Sequence, residues 1–124
     1  MRQVRALAAS GSLAFAPGLT LARGRAHEIA GPARRAAALL LAGRTAGPMI
    51  WIAPDRASER PMAEGLVPLV APGRIVFAAA PKAAALFRAA EEALRAGVAP
   101  VVIVEPQEPP GLTPVRRLHL AAAS

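Results

Sequence analysis

Beyond residue 25 the apolar positions fall into short β-like runs that alternate with alanine-rich stretches of helical period. The first run, residues 27–30, stops at Gly31-Pro32, and residues 33–45 then read as a helix closed by Gly47-Pro48. Residues 49–53 are apolar at every position, the pattern of a strand covered on both faces. A loop rich in charge and proline over residues 54–61 leads into a short helical stretch over 62–70, and Ala71-Pro72-Gly73 turns the chain into a strand over 74–78.

The best-marked helix follows. Pro81 suits its first turn and Gly97 the position just past its end. Between them Leu86, Ala90, Ala93 and Leu94 make one apolar stripe, while Arg88/Glu92 and Glu91/Arg95 stand at four-residue spacing on the other face. Residues 101–105 predict a buried β-branched strand ending in Glu105, and Thr113-Pro114 opens a last helix with threonine as its cap. This alternation predicts a three-layer α/β/α domain with a mainly parallel sheet over residues 26–124, preceded by a partly ordered lead-in over 1–25. No internal repeat is present.

Composition changes the picture in two ways. Of 124 residues, 54% are apolar, but many are alanine, so the core must rest on Trp51, Phe77, Phe87 and the Leu/Ile/Val runs. With 15 Lys+Arg against 8 Asp+Glu the net charge is +7, and Lys82 is the only lysine. Such a balance favours an anionic partner. The arginines are dispersed, however, no tyrosine offers a stacking platform, and the Arg, Ala, Gly and Pro usage also matches GC-rich codons. The absence of cysteine excludes disulfides, Cys-zinc sites and a thiol nucleophile, and two histidines are too few for a His-rich metal cluster. Arg2 and Arg5 precede an apolar stretch over 6–16 in the order of a secretory signal, but Ser10, Gly11 and Ser12 break it and no cleavage box follows. No run reaches the ~18 apolar residues of a membrane span. A cytoplasmic protein without membrane contact is expected.

In a parallel α/β sheet ligands gather at the carboxyl ends of the strands, where the Gly31-Pro32 turn, Asp55 and Glu105 would stand. The arrangement suggests a nucleotide-binding P-loop, which requires G-x-x-x-x-G-K-[ST]. From Gly31 the chain instead reads Pro32, Ala33, Arg34, Arg35, and then Ala36, Ala37 and Ala38 where glycine, lysine and hydroxyl belong. The phosphate grip and the magnesium ligand are therefore both missing.

Four stretches together resemble the ImuA family: residues 24–31 with the His27-Glu28 entry, residues 47–52, the helix over 89–97, and residues 113–118 with Arg116-Arg117-Leu118. The likeness covers about residues 18–123. It implies a RecA-like fold and a role as an accessory protein in bacterial SOS-induced translesion DNA synthesis. Against the recombinase RecA itself, Gly31 and Pro32 stand at the P-loop entry, Asp55 near the catalytic glutamate and Glu105 at the magnesium-side aspartate. The resemblance further implies a strand after the last helix, lying between those ending at Glu105 and Ala30, so that the chain reads as a truncated member or one that closes differently.

These readings predict no catalytic residue, no metal and no cofactor, with Ala36–Ala38 in place of the P-loop residues speaking against ATPase activity. Gly31, Pro32, Arg34 and Arg35 are the degenerate phosphate region, and Asp55 and Glu105 are remnant acids whose plain alternative is a loop-boundary role. Arg34, Arg35, Arg116 and Arg117 are candidate contacts to DNA or a partner, against a plain reading as solvated arginines. His27 reads as a locally bonded strand residue and Trp51 as core. The expected partners are translesion polymerase-complex proteins or RecA, with DNA contacts through the arginines. Two further readings are a nucleotide-binding or hydrolysing domain with an unorthodox site and a structural remnant with an unfilled sheet position.

Overall fold

A computed structural model of the chain describes residues 2–7, 11–54 and 72–124. The helix expected over 62–70, Asp55 and the charged loop after Pro54 lie outside the described residues. The described elements are β1 (Arg2–Leu7), β2 (Ser12–Ala16), β3 (Leu19–Ala22), β4 (Ala26–Ala30), α1 (Arg34–Ala42) and β5 (Met49–Pro54). They continue as a 3-10 turn (Pro72–Arg74), β6 (Ile75–Ala80), α2 (Ala83–Ala96), β7 (Val101–Val104) and α3 (Leu112–Ala123).

The protein is mixed α/β. Five strands form one sheet in the order β4-β1-β7-β5-β6, and β2 and β3 form a separate hairpin. Among the described strands only the β7-β5-β6 block is parallel, with Trp51 opposite Ile103 on one side and Phe77 on the other. β1 runs antiparallel to both β4 and β7. The sheet is therefore mixed rather than mainly parallel, and the N-terminal segment expected to stand outside the domain supplies an inner strand. The position between the strands ending at Glu105 and Ala30 is filled by β1. Its backbone satisfies two strand edges whose N–H and C=O groups would otherwise lack partners.

Period-two alternation sorts the central strands onto two layers. On one face Met49, Trp51, Ala53, Val101 and Ile103 pack against Ala38, Leu39, Leu41 and Ala42 of α1 and Leu13 of the hairpin. On the other, Ile52, Val102 and Val104 meet Leu86, Phe87, Ala90 and Leu94 of α2 and Leu118, Ala121 and Ala122 of α3. The two aromatic rings at the β5/β6 pairing, Trp51 and Phe77, lie 6.3 Å apart at 42°. The alanines of the helices let them approach the sheet closely, so the larger strand residues fill the space between.

The helix ends differ from expectation in two places. Pro81 precedes the cap of α2, which is Lys82, and acts by holding Ala80 extended at the end of β6. The cap of α3 is Gly111, not Thr113, which stands inside the first turn. Proline is tolerated anywhere in that turn, so Pro114 does not fix where the helix starts. Gly97 ends α2 in the left-handed region at φ 66°, as its position required.

A clamp closes the other end of α1. The guanidinium of Arg74 donates to Gly47 O at 2.6 Å, Ala42 O at 3.2 Å and Thr45 Oγ1 at 3.2 Å. A cation there also answers the partial negative charge of the helix C-terminus. Arg74→Ala is expected to lower unfolding stability by about 1–3 kcal/mol, measured by urea denaturation followed through Trp51. Arg44→Ala, at an exposed position, should stay within about 0.5 kcal/mol of the parent.

Candidate interaction site at the carboxyl edge of the sheet

The strand-to-helix turn after β4 is short. Residues 31–33 separate Ala30 from the helical Arg34, with Gly31 at φ 105° making the turn and the Arg34 amide donating to Gly31 O at 3.2 Å. A phosphate cradle needs the G-x-x-x-x-G loop to wrap around its ligand, yet here residues 34–38 are already helix. Ala38 is wholly buried against the sheet.

Arg34 and Arg35 part company. Arg34 turns back on its own loop, with Nη1 donating to Gly31 O at 3.2 Å, and its Nε is buried without a partner. Arg35 reaches across to the sheet, where its Nε donates to Glu105 Oε2 at 2.8 Å. The other carboxylate oxygen, Oε1, accepts from the Trp51 indole Nε1 at 2.7 Å. The Glu105 backbone amide donates to Ile52 O at 2.9 Å and so extends the β5/β7 ladder one residue past Val104. Glu105 is 2% exposed and is the buried charged residue of the described core. It follows four buried β-branched residues and shares the α1 face of the sheet with Val101 and Ile103, so its side chain leaves toward α1, where the indole and the guanidinium stand.

Arg116 and Arg117 lie on α3, in the opposite layer from Arg34 and Arg35. Arg116 is exposed. Arg117 donates to both oxygens of Glu91 on α2, from Nε at 3.0 Å and Nη2 at 3.1 Å, and Arg95 adds a bond at 3.4 Å. The hydrogen bond from Arg117 is the main cause that holds the Glu91 carboxyl below its ordinary range, with Arg95 acting in the same direction, and it raises the Arg117 guanidinium in return. The four arginines singled out in the sequence thus form no continuous basic strip; the sheet stands between the two pairs.

His27 donates from Nε2 to Ala22 O at 2.7 Å, as a locally bonded residue does, while His119 Nδ1 accepts from the Ala26 amide at 3.2 Å and ties α3 to β4. Among the described residues no group of three His, Cys, Asp or Glu side chains could hold a metal. No helix among them is long and apolar enough to cross a membrane.

On the α2/α3 face, the same carboxyl edge carries a groove of about 670 Å³ between the N-terminal ends of α2 and α3. Its described lining runs from Pro54 and Pro81 through Lys82, Phe87 and Arg88 to the loop over 107–111. Neither helix has a side-chain cap or an acidic residue in its first turn. Sequence reasoning missed both the groove and the Trp51–Glu105–Arg35 link. The link had one legible signal: a lone tryptophan in an apolar strand needs an acceptor for its N–H, and Glu105 is the acid at the end of the neighbouring run.

Comparison with protein-family models, with curated proteins and with solved structures finds no match for the chain.

Two outcomes are expected from the site. Glu105→Ala leaves the buried indole N–H without its acceptor and takes one partner from the Arg35 guanidinium, and should cost about 2–4 kcal/mol in urea denaturation, with Trp51→Phe costing less because it removes only one donor. Glu91 is stabilising when ionised, since its folded value is depressed. Its contribution is complete above about pH 4.5, the unperturbed carboxyl value, and is lost as pH falls through the folded value. Thermal midpoints taken from about pH 6 down to pH 3 should therefore fall less steeply for Glu91→Gln than for the parent.

Proposed function

We propose that this protein is a non-catalytic RecA-like accessory domain of bacterial DNA damage tolerance, acting through contacts with proteins of a translesion polymerase assembly or with RecA. The observation that carries the non-catalytic part is the state of Glu105. At the end of β7, where the resemblance to RecA places the magnesium-side acid, the carboxylate is buried and spent on Trp51 and Arg35. A metal ion at that position would have to displace both donors and enter a layer packed by α1. The short turn over residues 31–33 and the alanines at 36–38 speak in the same direction, because no lysine or hydroxyl faces a phosphate there.

The assignment to damage tolerance rests on the ImuA-like stretches alone. The placement of helices on both faces of a sheet with a parallel block is consistent with it. Contact through proteins is favoured over contact through DNA by the fate of the arginines. Arg35 and Arg117 are committed to Glu105 and Glu91, which leaves fewer guanidinium groups for phosphates than the net charge suggests.

A pull-down with RecA filaments and with translesion polymerase subunits at micromolar concentration tests the reading; retention by either supports it, and retention by neither sinks it. The nucleotide-binding reading has its own measurement. ATP with magnesium should leave the thermal midpoint unchanged, whereas a true ligand at a hundred times its dissociation constant would stabilise by about 2.7 kcal/mol.

A further inference from the structure

The geometry points to the groove between α2 and α3 as a docking site for an acidic, partly apolar peptide segment of a partner protein. The inference rests on the reading of the chain as an interaction module and supplies that module with its contact surface. Three observations carry it. The groove has the volume of a ligand site, about 670 Å³, and opens at the carboxyl edge of the parallel block rather than closing into the core. Its apolar walls are the prolines at 54, 81, 109, 110 and 114, while Leu86 and Phe87 border it as part of the core. Proline presents apolar surface without an N–H to satisfy and loses little entropy on being covered.

Its charge is positive on balance. The described lining carries Lys82, Arg88 and Arg117 against Glu91 and Glu108. Glu91 and Arg117 pair with each other, with Arg95 beside them, so the charge left to a ligand is Lys82 and Arg88 against Glu108. Lys82 and Arg88 are exposed, and among the described residues no ion pair engages either. The first-turn amides of two helices add partial positive charge of the same sign. Carboxylates set among leucine-like side chains match this lining: acid groups meet Lys82 and Arg88 at the rim, and apolar groups cover the prolines. A nucleic acid strand matches it less well, because Phe87 is only 8% exposed and offers no face on which a base could stack.

The test uses a fluorescein-labelled peptide of alternating aspartate and leucine, its lysine-leucine counterpart, and anisotropy as the readout. The acidic peptide should bind and the basic one should not. The double variant Lys82→Glu/Arg88→Glu should weaken binding by at least about tenfold, while Arg25→Glu/Arg44→Glu, which changes net charge as much at exposed positions outside the groove, should change it less than about threefold. Far-UV circular dichroism of both variants verifies that they fold. In the parent, amide shifts caused by the peptide should concentrate at residues 82–88 and 107–113. Absence of binding, equal loss in the two double variants, shifts scattered over the surface, or displacement of the peptide by ATP with magnesium at lower concentration than the peptide itself would each overturn the assignment. The outcome separates from the damage-tolerance reading. If RecA or a polymerase subunit retains the chain and Lys82→Glu/Arg88→Glu is retained equally, the groove is wrong and that reading stands; if the peptide binds as expected and neither protein does, the reverse holds.

Discussion

The carboxyl edge of the sheet is organised by one carboxylate. Glu105 leaves a fully buried run of β-branched residues and carries a charge into a layer where an unpaired ion would cost several kcal/mol. It is tolerated because each oxygen has a donor, the indole of Trp51 on the neighbouring strand and the guanidinium of Arg35 on α1. That fixes three things at once: the direction of the Trp51 ring, the seating of the first turn of α1, and the end of the β5/β7 ladder. An arginine in the second position of a helix opposes the helix dipole, and the partner across the layer gives the physical reason for finding one there.

The same economy of charge recurs elsewhere. Arg74 clamps the C-terminus of α1, and Arg117 with Arg95 joins α3 to α2 through Glu91. Arginine serves in each place because its planar fork satisfies several acceptors from one residue. A net charge of +7 read from the sequence therefore overstates the basic surface open to an anionic partner. What remains at the carboxyl edge is local, at Lys82 and Arg88 beside the groove, and the sheet separates it from Arg34 and Arg35.

Much of the fold was legible before the structure. The all-apolar run over 49–53 and the β-branched run over 101–104 form inner strands because each must be covered on both faces, and Gly97 closes α2 because only that conformation ends the helix there. The first 25 residues were not legible. Their alternation is weak, and β1 is joined by backbone pairing to β4 on one side and β7 on the other, which no side-chain pattern records. Capping was legible only in kind: Thr113 looked like a cap, but Gly111, extended at φ −73° and ψ 179°, takes that place.

Of the candidate site, Arg35 and Glu105 stood out in the sequence, but their relation to each other and to Trp51 did not. By itself the sequence determined the strand and helix periods, the absence of a G-x-x-x-x-G-K-[ST] pattern after Gly31, and the presence of an acid at the end of a buried run, because these are properties of local pattern and residue chemistry. Only the tertiary structure decided that Arg35, Trp51 and Glu105 meet, that Arg34/Arg35 and Arg116/Arg117 stand in opposite layers, and that two helix ends enclose a groove. Those contacts join residues up to 70 positions apart, and their partners are set by how the strands are ordered in the sheet, which no local pattern records.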